Sequence, residues 1–185
     1  MKIIFGILGE KLAGKDTVAN YLEDKYGAEH IKASQILDEL LFVLSIPVTR
    51  RNEIDAGRGM ESVFGSTVIG QAIVARVLKS QKHIIVINGL RIKNQFEDAK
   101  AMGSVIVYIT APPELRYKRS LERISENKDG QPSFQEFLHQ DTEWTEKNIP
   151  VFGKQANYKI ENTGSLEDLY KEIDRIIKLH VKGHI

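Results

Sequence analysis

Residues 2–8, 84–87 and 105–110 are nearly unbroken runs of β-branched and apolar side chains, the pattern of strands buried on both faces of a parallel sheet. Shorter runs at 28–32 and 158–161 predict two more strands. Between them the period becomes helical. Over 15–26, Val18, Leu22 and Tyr26 form one stripe, and Gly27 stops it. Further helices are expected from Ser34 to about 44, then at about 66–80, 93–102, 113–124, 133–147 and 165–180. Ser34 is the expected N-cap of the first of these, and Pro113 suits a first helical turn. Ser133-x-x-Glu136 has capping-box spacing, and Ser165 to Asp168 caps the last helix. Residues 50–65, with Arg50, Arg51 and Arg58 among Gly57, Gly59 and Gly65, read as the least regular stretch.

Strands alternating with helices imply βαβ units, hence an α/β fold with a five-stranded parallel sheet and helices on both faces. Ligands of such sheets sit at the carboxyl ends of the strands. The loops at 9–16, 33–36, 88–92, 111–116 and 162–165 are expected to gather there.

Composition narrows the classes. Apolar residues make up 42% and charged residues 28% of 185, the balance of an ordinary globular chain with one core. Net charge is +1, from 26 basic and 25 acidic residues, so there is no global field for nucleic acid and any anion site has to be local. Absence of cysteine excludes disulfides, thiolate chemistry and zinc–cysteine sites. No apolar run approaches the roughly 18 residues of a membrane span. The start of the chain does not read as a signal peptide. The expectation is a cytoplasmic protein with neither membrane nor nucleic-acid partners; oligomeric state has no signature. His30, His83, His139, His180 and His184 show no metal-ligand spacing.

The chemistry begins directly behind the first apolar run, at Gly9-Glu10-Lys11-Leu12-Ala13-Gly14-Lys15-Asp16-Thr17. A strand, a loop bounded by two glycines and a helix opening on lysine write a phosphate-binding loop. The glycines let the backbone N–H groups curl inward around an anion, and the helix aims its positive end at the same place. Gly9, Lys11, Ala13, Gly14, Lys15, Asp16 and Thr17 are the expected nucleotide-binding residues, with Lys15 on the outer phosphates. The pattern asks for Ser or Thr after Gly-Lys to meet Mg2+. Asp16 stands there instead, Thr17 follows it, and these two are the expected metal-side residues. A plain glycine-rich turn with a solvent-facing lysine is the alternative.

Three further clusters fall near the same sheet edge. Arg91, four residues past the end of the 84–87 run, can fork onto a phosphate. Arg116, Arg119 and Arg123 share one helical face and can neutralise a phosphoryl group in transfer; the polar stretch 125–133 after them suits a closing lid. Asn162-Thr163-Gly164-Ser165 follows the last strand, and its backbone can face a nucleotide base. Ser34 and Asp38 are acceptor-side candidates, with a solvated helical acid as the plain reading of Asp38.

On these residues the chain resembles the nucleoside-monophosphate-kinase branch of the P-loop kinases. Within it, dephospho-coenzyme A kinases and archaeal adenylate-kinase-related proteins are the most similar groups. The resemblance rests on the N-terminal loop, on Asn88-Gly89-Leu90-Arg91, on Pro112-Pro113-x-x-Arg116-Tyr117-x-x-Arg119, and on Asn162-Thr163-Gly164-Ser165-Leu166-Glu167. Gly14-Lys15-Asp16-Thr17 also looks like phage-type deoxynucleoside monophosphate kinases, and animal phosphomevalonate kinases share the aspartate.

The resemblance implies a three-layer P-loop NTPase fold, adenylate-kinase-like, as a single domain. Its core would comprise 1–32, 66–112 and 155–185, with an acceptor-binding insertion at about 33–65 and a helical lid at about 113–150. It implies ATP and Mg2+, with Lys15 on the β and γ phosphates, Arg91 on the acceptor, Arg116, Arg119 or Arg123 on the transferring phosphoryl, and Asn162 and Gly164 at the nucleotide. Asn88 replaces an acid that such kinases often carry, leaving Asp16 or Asp38 to take over its part. The expected function is Mg2+-assisted phosphoryl transfer from ATP to a small-molecule acceptor, dephospho-coenzyme A or a (deoxy)nucleoside monophosphate. A nucleotide-binding switch without kinase activity, or a degenerate non-catalytic relative, is the alternative.

Overall fold

A computed structural model describes residues 2–122, 132–143 and 145–181. Five strands, β1 (Ile3–Leu8), β2 (Glu29–Lys32), β3 (Ile84–Asn88), β4 (Val105–Thr110) and β5 (Tyr158–Glu161), form one sheet in the order β2-β3-β1-β4-β5. Every pairing is parallel. β1 lies at the centre, so the loop that follows it opens at the middle of the sheet edge, between the ends of β3 and β4.

The apolar runs are continuous because both sheet faces are covered. Alternate residues of each strand enter different cores. Phe5, Ile7, Val86, Val107 and Ile109 pack with α1 (Lys15–Tyr26) and α9 (Leu166–His180), through Val18, Leu22, Ile173 and Ile177. Leu8, Ile85, Ile87, Ile106 and Tyr108 pack on the other face with α4 (Val68–Lys79), α5 (Lys93–Ala101) and α8 (Ile149–Gly153), through Ile73, Val77, Phe96 and Phe152. The result is a three-layer α/β P-loop NTPase fold. Among the described residues, no helix is long and apolar enough to cross a membrane.

The structure corrects three local expectations. Helix α2 (Ala33–Val43) follows β2 without a linking residue, so Lys32 occupies the N-cap position and Ser34 lies inside the first turn. Residues 50–64, expected to be irregular, form α3 (Arg50–Phe64), with Thr49 Oγ1 accepting from the Asn52 N–H at 3.2 Å. This helix buries no residue fully, so it has no strong apolar stripe to read. A Cβ at Gly57 would make only ordinary contact with Leu37 of α2, and one at Gly59 would meet open space. Helix α6 (Pro113–Glu122) agrees with expectation as far as it is described. Helix α7 (Phe134–Gln140) forms the Ser133–Glu136 capping box but ends well before residue 147. Turns carry the chain from there to α8, where Pro150 sits in the first turn.

Candidate active site

The loop after β1 is shaped by two close approaches. A Cβ on Gly9 would collide with the Ile109 carbonyl oxygen of β4. At Gly14 φ is +112°, and a Cβ there would lie 2.5 Å from Asn162 Nδ2. That amide donates to the Ala13 carbonyl at 2.9 Å, fastening the loop to the turn after β5. Arg119 adds a second tie, donating to the Leu12 carbonyl at 3.2 Å and the Asn162 carbonyl at 2.8 Å. Leu12, Gly14, Thr17, Arg119, Asn162 and Gly164 therefore share one depression on the α6 side of the loop.

Lys15 crosses beneath the loop, its ammonium donating to the Glu10 carbonyl at 2.8 Å. Burial, with the Arg91 guanidinium behind it, pushes this ammonium down to about 8. A buried cation supported by one carbonyl is incompletely neutralised, and polyphosphate oxygens suit it. Lys11 reaches the other way, donating to Gln140 Oε1 at 2.9 Å.

Asp16 turns toward β3. Its Oδ1 accepts from Asn88 Nδ2 at 2.8 Å and lies 3.5 Å from Lys32 Nζ. Burial acts to raise the carboxyl, but the Lys32 charge and the Asn88 hydrogen bond outweigh it, and Asp16 sits below the usual carboxylate range. Asn88 also meets His30 Nε2 at 3.1 Å. Burial pushes His30 down, so the neutral ring can accept the second amide hydrogen. Asn88 Oδ1 is buried and has no partner among the described residues.

The residues present fit Mg2+ held mainly by nucleotide phosphates and water. Asp16 carries both of its described partners on Oδ1, and no group of three acidic or histidine ligands exists among the described residues. One carboxylate plus phosphate oxygens is the usual way of holding this ion. Thr17 lines the depression with Gly14 and Arg119, whereas Asp16 bonds to Asn88 at the end of β3.

A separate cleft is lined by Ser34, Arg50, Glu53, Arg58, Arg91 and Thr145 together with the apolar Leu37, Ile54, Ile69 and Ile92, and the charge of its Arg91 is felt at Lys15. Arg91 forms an ion pair with Glu146, and Arg50 approaches the same carboxylate oxygen at 3.4 Å. Asp38 does not line the cleft. It faces Glu53, and burial together with that contact pushes its carboxyl up to about 6.

Arg116 is 2% exposed. It forks onto Asp141 at 3.0 and 2.5 Å and donates to the Ala111 and Lys11 carbonyls at 3.0 and 3.3 Å. Its donors thus join the loop after β1 to the turn after α7. Arg123 lies outside the described residues, as does most of the 125–133 stretch.

The structure adds Glu146, Arg50, Lys32 and His30 to the residues singled out from sequence. None carries a spacing signature; they meet only through the sheet order and the return of the chain after α7.

No protein-family model matches the chain. It is similar to a UPF0200 protein of Saccharolobus islandicus strain Y.G.57.14, 26% identical over 185 residues that cover 96% of this chain and 95% of the relative. A UPF0200 protein of Sulfurisphaera tokodaii is 25% identical over 176 residues, covering 95% and 96%. Among solved structures, shikimate kinase from Acinetobacter baumannii in complex with shikimate superposes with a TM-score of 0.61 at 19% identity, covering 99% and 97%. Shikimate kinase from Bacteroides thetaiotaomicron gives 0.61 at 14%, covering 96% and 97%. TT1252 from Thermus thermophilus gives 0.62 at 21%, covering 98% and 99%. Nothing in these similarities singles out dephospho-coenzyme A kinases. What they support is the coarser assignment: the chain has the P-loop fold found in small-molecule kinases.

Proposed function

We propose that the protein transfers the γ-phosphoryl group of ATP, with Mg2+, to a small acceptor that carries an anionic group. The observation that carries this reading is the pairing of the 9–15 loop, which has the spacing of a phosphate-binding loop, with a separate arginine-lined cleft whose Arg91 lies close enough to Lys15 to lower its proton affinity. A nucleotide switch needs the first of these and has no use for the second.

In this reading the loop N–H groups and Lys15 hold the β and γ phosphates, and Arg119, Asn162 and Gly164 border the nucleoside. Asp16 orients Mg2+ through Oδ2 or a bound water. The ion neutralises charge on the phosphates and fixes their geometry. Arg91 and Arg50 hold the acceptor's anionic group, while Ser34 and the apolar floor position its body. Most of the catalysis is positioning and charge neutralisation, because phosphoryl transfer asks little covalent chemistry of the protein. Arg116 serves by holding the loop and the turn after α7 in register.

Acceptors compatible with such a cleft are (deoxy)nucleoside monophosphates and dephospho-coenzyme A. A hydroxylated carboxylate of the kind bound by the structurally similar shikimate kinase is also compatible. A panel of these acceptors, run with ATP and with GTP, tests the proposal through acceptor-dependent release of nucleoside diphosphate. No such release from protein shown to bind nucleotide overturns it.

A further inference from the structure

We infer that Glu146 is a resident anion, filling the place of the acceptor's oxyanion between Arg50 and Arg91 and leaving it when that oxyanion binds. The inference rests on the acceptor role proposed for Arg91.

Glu146 is 7% exposed. All of its described hydrogen bonds fall on one oxygen: Oε1 meets Arg91 Nη1, Arg50 Nη2 at 3.4 Å and Thr145 Oγ1 at 3.3 Å. Oε2 is buried and has no partner among the described residues. Lys15 and Lys11 also lie close enough to feel its charge. One carboxylate thus stands among four cations drawn from the phosphate-binding loop, α3 and the turn after β3.

The other buried ion pair behaves differently. Asp141 gives both oxygens to Arg116, whose remaining donors end on backbone carbonyls. Such a two-point pair, with both carboxylate oxygens engaged, is costly to open. Glu146 leaves one buried oxygen unsatisfied, so its place is held at a desolvation cost that an exchanging ligand relieves. A phosphate has more acceptor oxygens than a carboxylate for the same guanidinium forks and Thr145 hydroxyl. Arg50, Arg91 and Thr145 all line the cleft, so that ligand arrives through it. Glu146 lies in a turn between α7 and α8, bonded through its backbone, among the described residues, to Glu143 and Ile149, and it can swing away without breaking a helix. A neutral acceptor cannot replace it, so the device selects anionic acceptors. It also couples their binding to the chain that returns from α7.

The test uses the full chain saturated with Mg2+ and a non-hydrolysable ATP analogue, so that the phosphate-binding loop is filled. Inorganic phosphate is then titrated by calorimetry. Glu146→Gln should bind phosphate about tenfold more tightly than the parent, because the competing charge is gone, and Glu146→Asp should stay near the parent. Equal or weaker binding by Glu146→Gln, or no phosphate binding by either protein, overturns the inference. Hydrogen exchange on the unmodified chain gives a second measurement that needs no variant. Peptides carrying Glu146 should exchange faster when phosphate is added, and unchanged or slower exchange overturns the inference. A protein that shows both responses yet phosphorylates no acceptor loses the kinase proposal and keeps this one. Acceptor phosphorylation without either response does the reverse.

Discussion

The Asn88 side-chain amide donates to the Asp16 carboxylate at 2.8 Å, joining the end of β3 to the first turn of α1. Two departures in the sequence, an aspartate after Gly-Lys and an asparagine at a strand end, are in this way one interaction. The Lys32 charge and this amide together hold Asp16 below the usual carboxylate range, and both described partners fall on Oδ1. An acid at position 88 would instead have set two carboxylates against each other.

Replacing Asn88 with alanine should therefore lower stability by about 1–2 kcal/mol, through a lost charge-assisted hydrogen bond in a buried place. Asp16 has a folded value below its ordinary 3.8. Its contribution is present above that pH and fades as pH falls through the lower folded value. Urea denaturation across that range should show parent and variant converging in acid. If Asp16 meets Mg2+, the variant also needs more Mg2+ for half-maximal activity.

The Lys15 ammonium titrates at about 8, against 10.5 when free. Between these values the unfolded chain binds more protons than the folded one, so stability rises with pH across the window. Bound phosphates favour the charged amine, and binding above about pH 8 should take up a proton. Calorimetry of ATP binding in buffers of different ionisation enthalpy measures that uptake. No buffer dependence at about pH 9, one unit above the folded value, would remove Lys15 from the phosphates.

Asp38 shows the opposite linkage. Its folded value of about 6 lies above the ordinary 3.8, so it draws stability down as pH rises from 3.8 to about 6, and that loss stays in full at neutrality. Asp38→Asn should raise neutral-pH stability by about 1 kcal/mol, after discounting for solvent screening. A thermal midpoint below that of the parent at neutral pH contradicts this account. Lost activity alongside gained stability would mark the carboxylate as functional.

Asp141→Ala leaves the Arg116 guanidinium buried without its partner, which should cost about 3 kcal/mol. Denaturation curves measure the loss. Because Arg116 also holds the Lys11 carbonyl, nucleotide affinity should weaken with it. Unaltered nucleotide affinity would mean that the loop keeps its shape without this brace.

Much of this molecule is written locally. Two-sided burial requires the uninterrupted apolar runs of β1, β3 and β4, and the alternation of strand and helix follows from them. The loop from Gly9 to Lys15 is equally legible, since a glycine is needed where Ile109 and Asn162 approach the backbone. The closing turn could be read too, from the Ser165 cap and the Asn162-Thr163-Gly164 spacing. Helix α3 could not, because it buries no residue fully and two glycines interrupt its pattern.

Tertiary structure decided which charges meet. Arg116 and Arg119 look alike in sequence, three residues apart on one helical face. Asp141 and the Lys11 carbonyl draw the first into the interior, while the Leu12 and Asn162 carbonyls set the second at the edge of the depression that Gly14, Thr17 and Gly164 also line. Asp16 and Asn88 are brought together by β1 pairing with β3, and Arg91 and Glu146 by the return of the chain after α7. Periodicity and glycine spacing report on backbone shape within a few residues. Ion pairs between residues dozens of positions apart depend on sheet order and loop path, so only the folded chain determines them.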